Sequence, residues 1–147
     1  MRAIQLERFG LDGLVPVARS AGEPGPGEAR VRMHAASLNY HDLATVMGMA
    51  NPKMVLPQVP LSDGAGVVEA VGEGVHGLKV GDRVTTSFFP GWVAGNPSLA
   101  VLRGVTGETL PGAMQEQMVA PASAFVPTPD HLTDLEAATL PCAALTA

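Results

Sequence analysis

Glycine and proline punctuate this chain from end to end. Seventeen glycines and thirteen prolines are spread over 147 residues with no collagen-like period. Glycine weakens a helix interior and proline removes a helical hydrogen bond, whereas both fix turns. A chain divided in this way is held to short segments joined by many turns, which predicts a mainly β body with a few short helices. At this length one domain can bury roughly two thirds of its unfolded surface, so neither a metal nor a disulfide is required to hold a core.

Local patterns agree with that reading. Ala3 to Glu7 and Leu14 to Ala18 read as strands around a Gly10 to Gly13 turn. In "ARVRMHAAS", Val31, Met33 and Ala35 alternate with Arg30, Arg32 and His34, the period-two pattern of a sheet with one wet face. His34 is then a solvated strand residue. The period changes in "NYHDLATVMGM", where Leu43, Val46 and Met47 share a helical face, Asn39 caps the start, Asp42 is the third helical residue and Gly48 ends the helix. "GAGVVEAV" (64–71), Arg83 to Ser87 and Gln115 to Ala120 read as further strands, with a long Gly/Pro loop from Phe88 to Gly112 that carries Trp92. "LTDLEAATLP" has a capping box, Thr133 with Glu136, ahead of a helix stopped by Pro141. "CAALTA" opens another apolar helical stretch that stops at Ala147 without a cap, so the chain is expected to be one part of a longer protein.

"EAVGEGVHGLKVGDRV" contains a literal G-x-G-x-x-G at Gly72, Gly74 and Gly77. A dinucleotide fingerprint must open a helix, whose free N–H groups hold the pyrophosphate. Here "LKVGDRV" follows, with a β-branched pattern and no helical repeat, and Glu73 would set a carboxylate among the phosphates. The glycines are read as a turn between two strands.

Charge and cysteine usage exclude several function classes. A net charge of −5 with nine scattered basic residues offers no footprint for nucleic acid or for an anionic membrane. The single cysteine, Cys142, excludes an internal disulfide or a four-cysteine zinc lobe and suits a reducing compartment, so a cytoplasmic address is expected. "MRAIQLERFG" lacks the apolar region of a signal peptide, and no run approaches a membrane span.

Four segments together carry a resemblance. "EPGPGEARVRMHAASLNYHDL", "VPLSDGAGVVEAVGEGVHGLKVGDRV", "GAMQEQMVAP" and "DLEAATLPCAALTA" resemble, in order and spacing, the catalytic domain of the medium-chain dehydrogenase/reductase superfamily. The resemblance spans nearly the whole chain and implies a GroES-like β-barrel over residues 1–147. It also implies a Rossmann dinucleotide-binding domain that would follow "LPCAALTA" and is not in this sequence. NADP or NAD is the implied cofactor, bound mainly by that following domain.

The family divides into zinc alcohol dehydrogenases and zinc-free quinone or enone reductases. Catalytic zinc needs three protein ligands drawn from cysteine, histidine and carboxylate. By motif matching, the ligand positions here hold Asn39, Ser62 and Cys142, of which only the thiol is a credible ligand. The sequence therefore resembles the zinc-independent, quinone oxidoreductase-like branch, and no zinc is expected. Cys142 itself reads as a small buried hydrophobe at a helix start.

Without a metal, reduction of a carbonyl still needs donors aimed at the oxygen that gains charge. By the resemblance, Tyr40 and His41 are the candidate catalytic residues, Tyr40 as a proton or hydrogen-bond donor and His41 as a proton shuttle at the start of a relay. Asn39, Ser62 and Trp92 are candidate substrate contacts, and Asn39 and Thr146 candidate contacts to the nicotinamide. Asp63 takes the place of a family glutamate and would orient its neighbours beneath the site. Each has a plainer role open to it: Asn39 a helix cap, Tyr40 an amphipathic wall, His41 a surface residue, Asp42 a carboxylate at a helix start. The expected partner is a small-molecule carbonyl or quinone, with a homodimer left open. Two rival readings stand beside this one. One is a stand-alone, non-catalytic GroES-like binding or assembly module, and the other a zinc alcohol dehydrogenase with unusual ligands. This chain alone is expected to be inactive.

Overall fold

A computed structural model describes all of Met1–Ala147. Its sheets follow the punctuation of the sequence. A two-stranded hairpin, β1 (Arg2–Leu6) with β2 (Leu14–Ala18), stands beside a five-stranded antiparallel sheet. The large sheet has the order β6 (Gln117–Pro121), β3 (Glu28–Ser37), β4 (Asp63–Val71), β5 (Arg83–Thr86), β7 (Phe125–Pro127). The amide of Ile4 donates to Met114 O, and the Glu116 amide to Arg2 O, which joins the hairpin to the large sheet. The helices are short: α1 (Tyr40–Val46), α2 (Leu99–Leu102) and α3 (Asp134–Ala137), with a π-helical turn at Leu140–Ala144. The expected fold class, mainly β with a few short helices, is the one observed.

β3 is the spine of the molecule, pairing with β4 on one side and β6 on the other. The alternation read from its sequence sends Ala29 and Val31 into a dry core with Val68, Val84, Met118 and Phe125, with Met33 packed at its margin. Gly66, where β3 and β4 slip register between Met33 and Ala35, sits against the Arg32 carbonyl so closely that a Cβ would overlap it. A second cluster of Leu6, Val46 and Met54 ties the hairpin to α1. A third, Ala65 with Ala137 and Ala138, seats the α3 segment on the sheet.

Several local expectations are corrected. Only Arg83 and Val84 of "LKVGDRV" are strand, the first two residues of β5; Lys79–Asp82 is a turn in which Gly81 takes a positive φ of 93° and the Asp82 carboxylate accepts from the Lys79 amide. The turn reading of Gly72 to Gly77 holds, with Gly72 pressed against the Gly25 carbonyl and Gly74 and Gly77 both at positive φ. His34 is more than a solvated strand residue: its Nδ1 lies 2.7 Å from Asp134 Oδ2. The other Asp134 oxygen accepts from Arg83 at 2.7 and 3.0 Å, so two strands grip the start of α3. The buried face of α1 also differs from the one that apolar spacing predicts. Asp42, Thr45 and Val46 are its buried residues, while Leu43 and Met47 stay exposed. Polar residues turn inward there because the adjoining segment at Ser62 presents a buried amide that needs an acceptor.

Candidate active site

The site is built where α1, the start of β4 and the Leu140–Ala144 turn meet. Asn39 caps α1 in a capping box with Asp42, whose Oδ2 accepts the Asn39 amide at 2.8 Å. The other Asp42 oxygen accepts the Ser62 amide at 2.9 Å. Burial pushes the Asp42 carboxyl above its usual range, and the two amide hydrogen bonds oppose that rise. The chain approaches Ser62 through Leu61, the one non-glycine residue at positive φ (75°). That bend is held by close-packed backbone at Gly107 and Gly112, and the Leu61 carbonyl accepts the Ala113 amide at 2.8 Å.

Ser62 and Asp63 are fully buried. Ser62 Oγ donates to Asp63 Oδ1 at 2.6 Å, and the Asn39 side-chain amide donates to Ser62 Oγ at 3.4 Å. Asp63 Oδ2 accepts the Cys142 amide at 3.0 Å. Thr86 Oγ1 closes the network by donating to the Ser62 carbonyl at 2.7 Å. The structure thus brings Asn39, Ser62 and Cys142 together, although they are distant in sequence. Cys142 is half-buried rather than fully buried, a correction to the sequence reading. Its thiol is pushed up, first by burial and then by the charges of Asp63 and Asp42.

His41 sits one turn further along this edge. Its Nε2 is 3.3 Å from both Thr45 Oγ1 and the carboxylate of Glu108, and its ring meets the edge of Phe88 at 5.0 Å. Glu108 escaped the sequence reading, although it is the only carboxylate in the long 88–112 loop. From Phe88 the aromatic contacts continue edge-to-face to Phe89 (4.7 Å) and from there to Trp92 (6.3 Å). The indole N–H of Trp92 donates to the Gly95 carbonyl at 2.9 Å.

A cleft of about 560 Å³ opens beside this aromatic run and is bounded on the other side by Leu140, Cys142 and Leu145. Trp92 and Thr146 line it, as do Ser87 and Phe89, which the sequence did not single out. Asn39, Tyr40, His41 and Ser62 are not among its lining residues, and Tyr40 is 78% exposed at the start of α1. Thr146 Oγ1 donates to the Cys142 carbonyl at 2.6 Å.

Zinc, used by one branch of the family, and the dinucleotide can both be tested against these residues. At the three converging positions the donors are an amide, a buried hydroxyl already given to Asp63, and a single thiol, one credible ligand where catalytic zinc needs three, a set that does not fit zinc. Nowhere do three side chains of histidine, cysteine, aspartate or glutamate group to hold a metal ion. For a dinucleotide, the glycine-rich turn leads into no helix and offers no phosphate cradle.

Residues 25–130 match the model of the alcohol dehydrogenase GroES-like domain. This chain belongs to that family. The GroES-like domain is 43% identical over 142 residues, 96% of its length, to a zinc-type alcohol dehydrogenase-like protein of Schizosaccharomyces pombe, and covers 41% of that relative. It is 33% identical over its full length to a chloroplastic quinone-oxidoreductase homolog of Spinacia oleracea and covers 40% of it. Among solved structures, a putative alcohol dehydrogenase of Sinorhizobium meliloti superposes with a TM-score of 0.84 at 36% identity, over 99% of this chain and 43% of that one. The quinone oxidoreductase of Coxiella burnetii gives 0.76 at 28% identity, over 99% of this chain and 42% of its own. The fold and superfamily are therefore those of the medium-chain dehydrogenase/reductases, and the chain spans about two fifths of the length of these relatives. No helix of the GroES-like domain is long and apolar enough to cross a membrane.

Proposed function

We propose that residues 1–147 are the catalytic-domain portion of a zinc-independent medium-chain reductase that passes hydride from NAD(P)H to a quinone, an enone or a related carbonyl. The observation that carries this reading is the convergence on Asp63 of Asn39 and Ser62, linked to it by side-chain hydrogen bonds, and of Cys142, held by its backbone amide, so that only one thiol stands where a zinc site would need three ligands. A Rossmann domain continuing from the Cys142 segment would hold most of the dinucleotide, with Asn39 and Thr146 at its nicotinamide end. The single cysteine supports a cytoplasmic address, and the exposed Leu43 and Met47 support burial against further protein, whether that domain or a second subunit.

The bound nicotinamide supplies the hydride. The chain's own residues handle the oxygen that gains charge. The Asn39 side-chain amide spends one N–H on Ser62 and keeps the other for that oxygen or for the ribose. The His41 ring is held at Nε2 by Thr45 and Glu108, which leaves Nδ1 to exchange a proton with the reduced product. Tyr40 serves only from the rim, because its ring projects into solvent. Leu140, Leu145 and the aromatic run keep water from the face of the acceptor.

The test is steady-state kinetics on the protein extended through its dinucleotide domain. NADPH oxidation by a quinone or enone, unchanged after chelator treatment, is the expected result. Alcohol oxidation that disappears with the chelator would move the protein to the zinc branch, and a stable chain that neither binds nor oxidises NADPH would leave the non-catalytic module.

A further inference from the structure

The cleft is unusual in what its wall lacks. Apart from the Cys142 thiol, no lining side chain can ionise, although charged residues make up 16% of the chain. The thiol is itself held toward its neutral form. Of the four lining hydroxyls, those of Thr85, Thr86 and Thr146 already donate to backbone carbonyls, and Ser87 makes no side-chain hydrogen bond within the chain. One wall is an edge-to-face series of Phe88, Phe89 and Trp92. Trp92 remains 43% exposed even though its N–H is satisfied, so the indole surface still open to a ligand is aromatic carbon. The volume falls in the roughly 300–1,000 Å³ range of small-molecule sites.

We propose that Phe89 and Trp92 form a ring-binding subsite that takes an uncharged, fused-ring aromatic acceptor, discriminates against anionic ones, and works in this chain without nucleotide. The substrate class refines the reductase reading and rests on it; the binding claim concerns this chain alone. Physically, an aromatic ring gains both area burial and edge or face contacts from such a wall. An anion would be drawn out of water toward a surface that returns no cation. An aliphatic enone finds the same apolar room without the ring contacts. The Ser87 hydroxyl is the one donor on the wall free to meet a quinone oxygen.

Because Trp92 is the only tryptophan, its fluorescence reads the subsite directly. A fully ring-substituted dimethylnaphthoquinone, which cannot add to Cys142, is titrated into the 147-residue chain. Its sulfonated analogue and cyclohexenone are titrated in parallel. The expected result is saturable quenching by the neutral quinone with an unchanged excited-state lifetime, the sign of a ground-state complex. The sulfonate and cyclohexenone should each bind at least about tenfold more weakly. By calorimetry, Trp92→Ala and Phe89→Leu should each weaken the quinone about three- to tenfold, with Trp92→Phe close to the parent. Linear quenching with a shortened lifetime, meaning random collision, overturns the subsite. Equal affinity for the sulfonate overturns the charge discrimination, and unchanged affinity in Trp92→Ala overturns the ring contact. The outcome is independent of NADPH oxidation by the longer protein, so the subsite and the reductase reading can fail separately.

Discussion

Asp63 is the residue whose removal should tell most about how the site is held. Its carboxylate is fully buried, and each oxygen accepts one hydrogen bond, from Ser62 Oγ at 2.6 Å and from the Cys142 amide at 3.0 Å. Hydrogen bonds to a charged acceptor contribute about 1.5–3 kcal/mol each, and an amide left unpaired away from water costs about 1–3 kcal/mol. Against this, Asp63→Ala also removes the cost of keeping a carboxylate dry, so the net loss should be about 3 kcal/mol. With a urea slope near 2 kcal/mol per molar, the unfolding midpoint would fall by roughly 1.5 M. Asp63→Asn should be mild, about 1 kcal/mol. Its carbonyl can keep the Cys142 amide while its NH2 donates to a rotated Ser62 hydroxyl. Amide hydrogen exchange supplies the local reading: the Cys142 N–H should exchange at least about tenfold faster in Asp63→Ala and near the parent rate in Asp63→Asn. Unchanged Cys142 protection in the alanine variant would refute the claim that this carboxylate ties the 140–144 turn to the sheet. Equal damage in both variants would mean that charge, not hydrogen-bond geometry, is what matters.

Two further outcomes follow from packing and charge. Gly66→Ala should lose about 3 kcal/mol or more, because its Cβ overlaps the rigid Arg32 backbone at the β3–β4 register shift. Gly74→Ala, at a φ of 75° with open space around it, should lose only about 1 kcal/mol; similar losses in urea melts would contradict the close-approach argument. The His34 and Arg83 hydrogen bonds hold the Asp134 carboxyl below its ordinary 3.8. A depressed folded value stabilises above the unfolded one, so this contribution is present from about pH 4 upward and is lost as pH falls through the folded value. Asp42, raised by burial, has the opposite sign: its charge opposes folding at neutral pH, and its contribution improves on acidification toward 3.8. In a carboxyl NMR titration Asp42 should therefore protonate first on acidification and Asp134 well after it; the reverse order would contradict both assignments.

Much of this molecule could be read locally. The alternation through Val31, Met33 and Ala35 set which face of β3 packs. The Asn39–Asp42 and Thr133–Glu136 capping boxes marked two helix starts. These features depend on neighbours within four residues, so a sequence states them completely. The glycine-rich turn belongs with them, since the lack of a helix after Gly77 is itself local.

Other features could not be read that way. The inward face of α1 is not legible locally, because apolar spacing nominates Leu43 and Met47, whereas the buried Ser62 amide, twenty residues away, recruits Asp42. Glu108 reaches His41 only because the long loop folds back over α1, and His34 finds Asp134 a hundred positions later. By itself the sequence determined the β class, the element starts and the residue types available for chemistry. Tertiary structure alone decided which of them meet: that Asp63 holds the Cys142 amide, that Trp92 and Thr146 share a cleft, and that Tyr40 stays outside it. The physical reason is that buried polar groups must find partners wherever the fold brings one, and no local pattern in the chain records that distance.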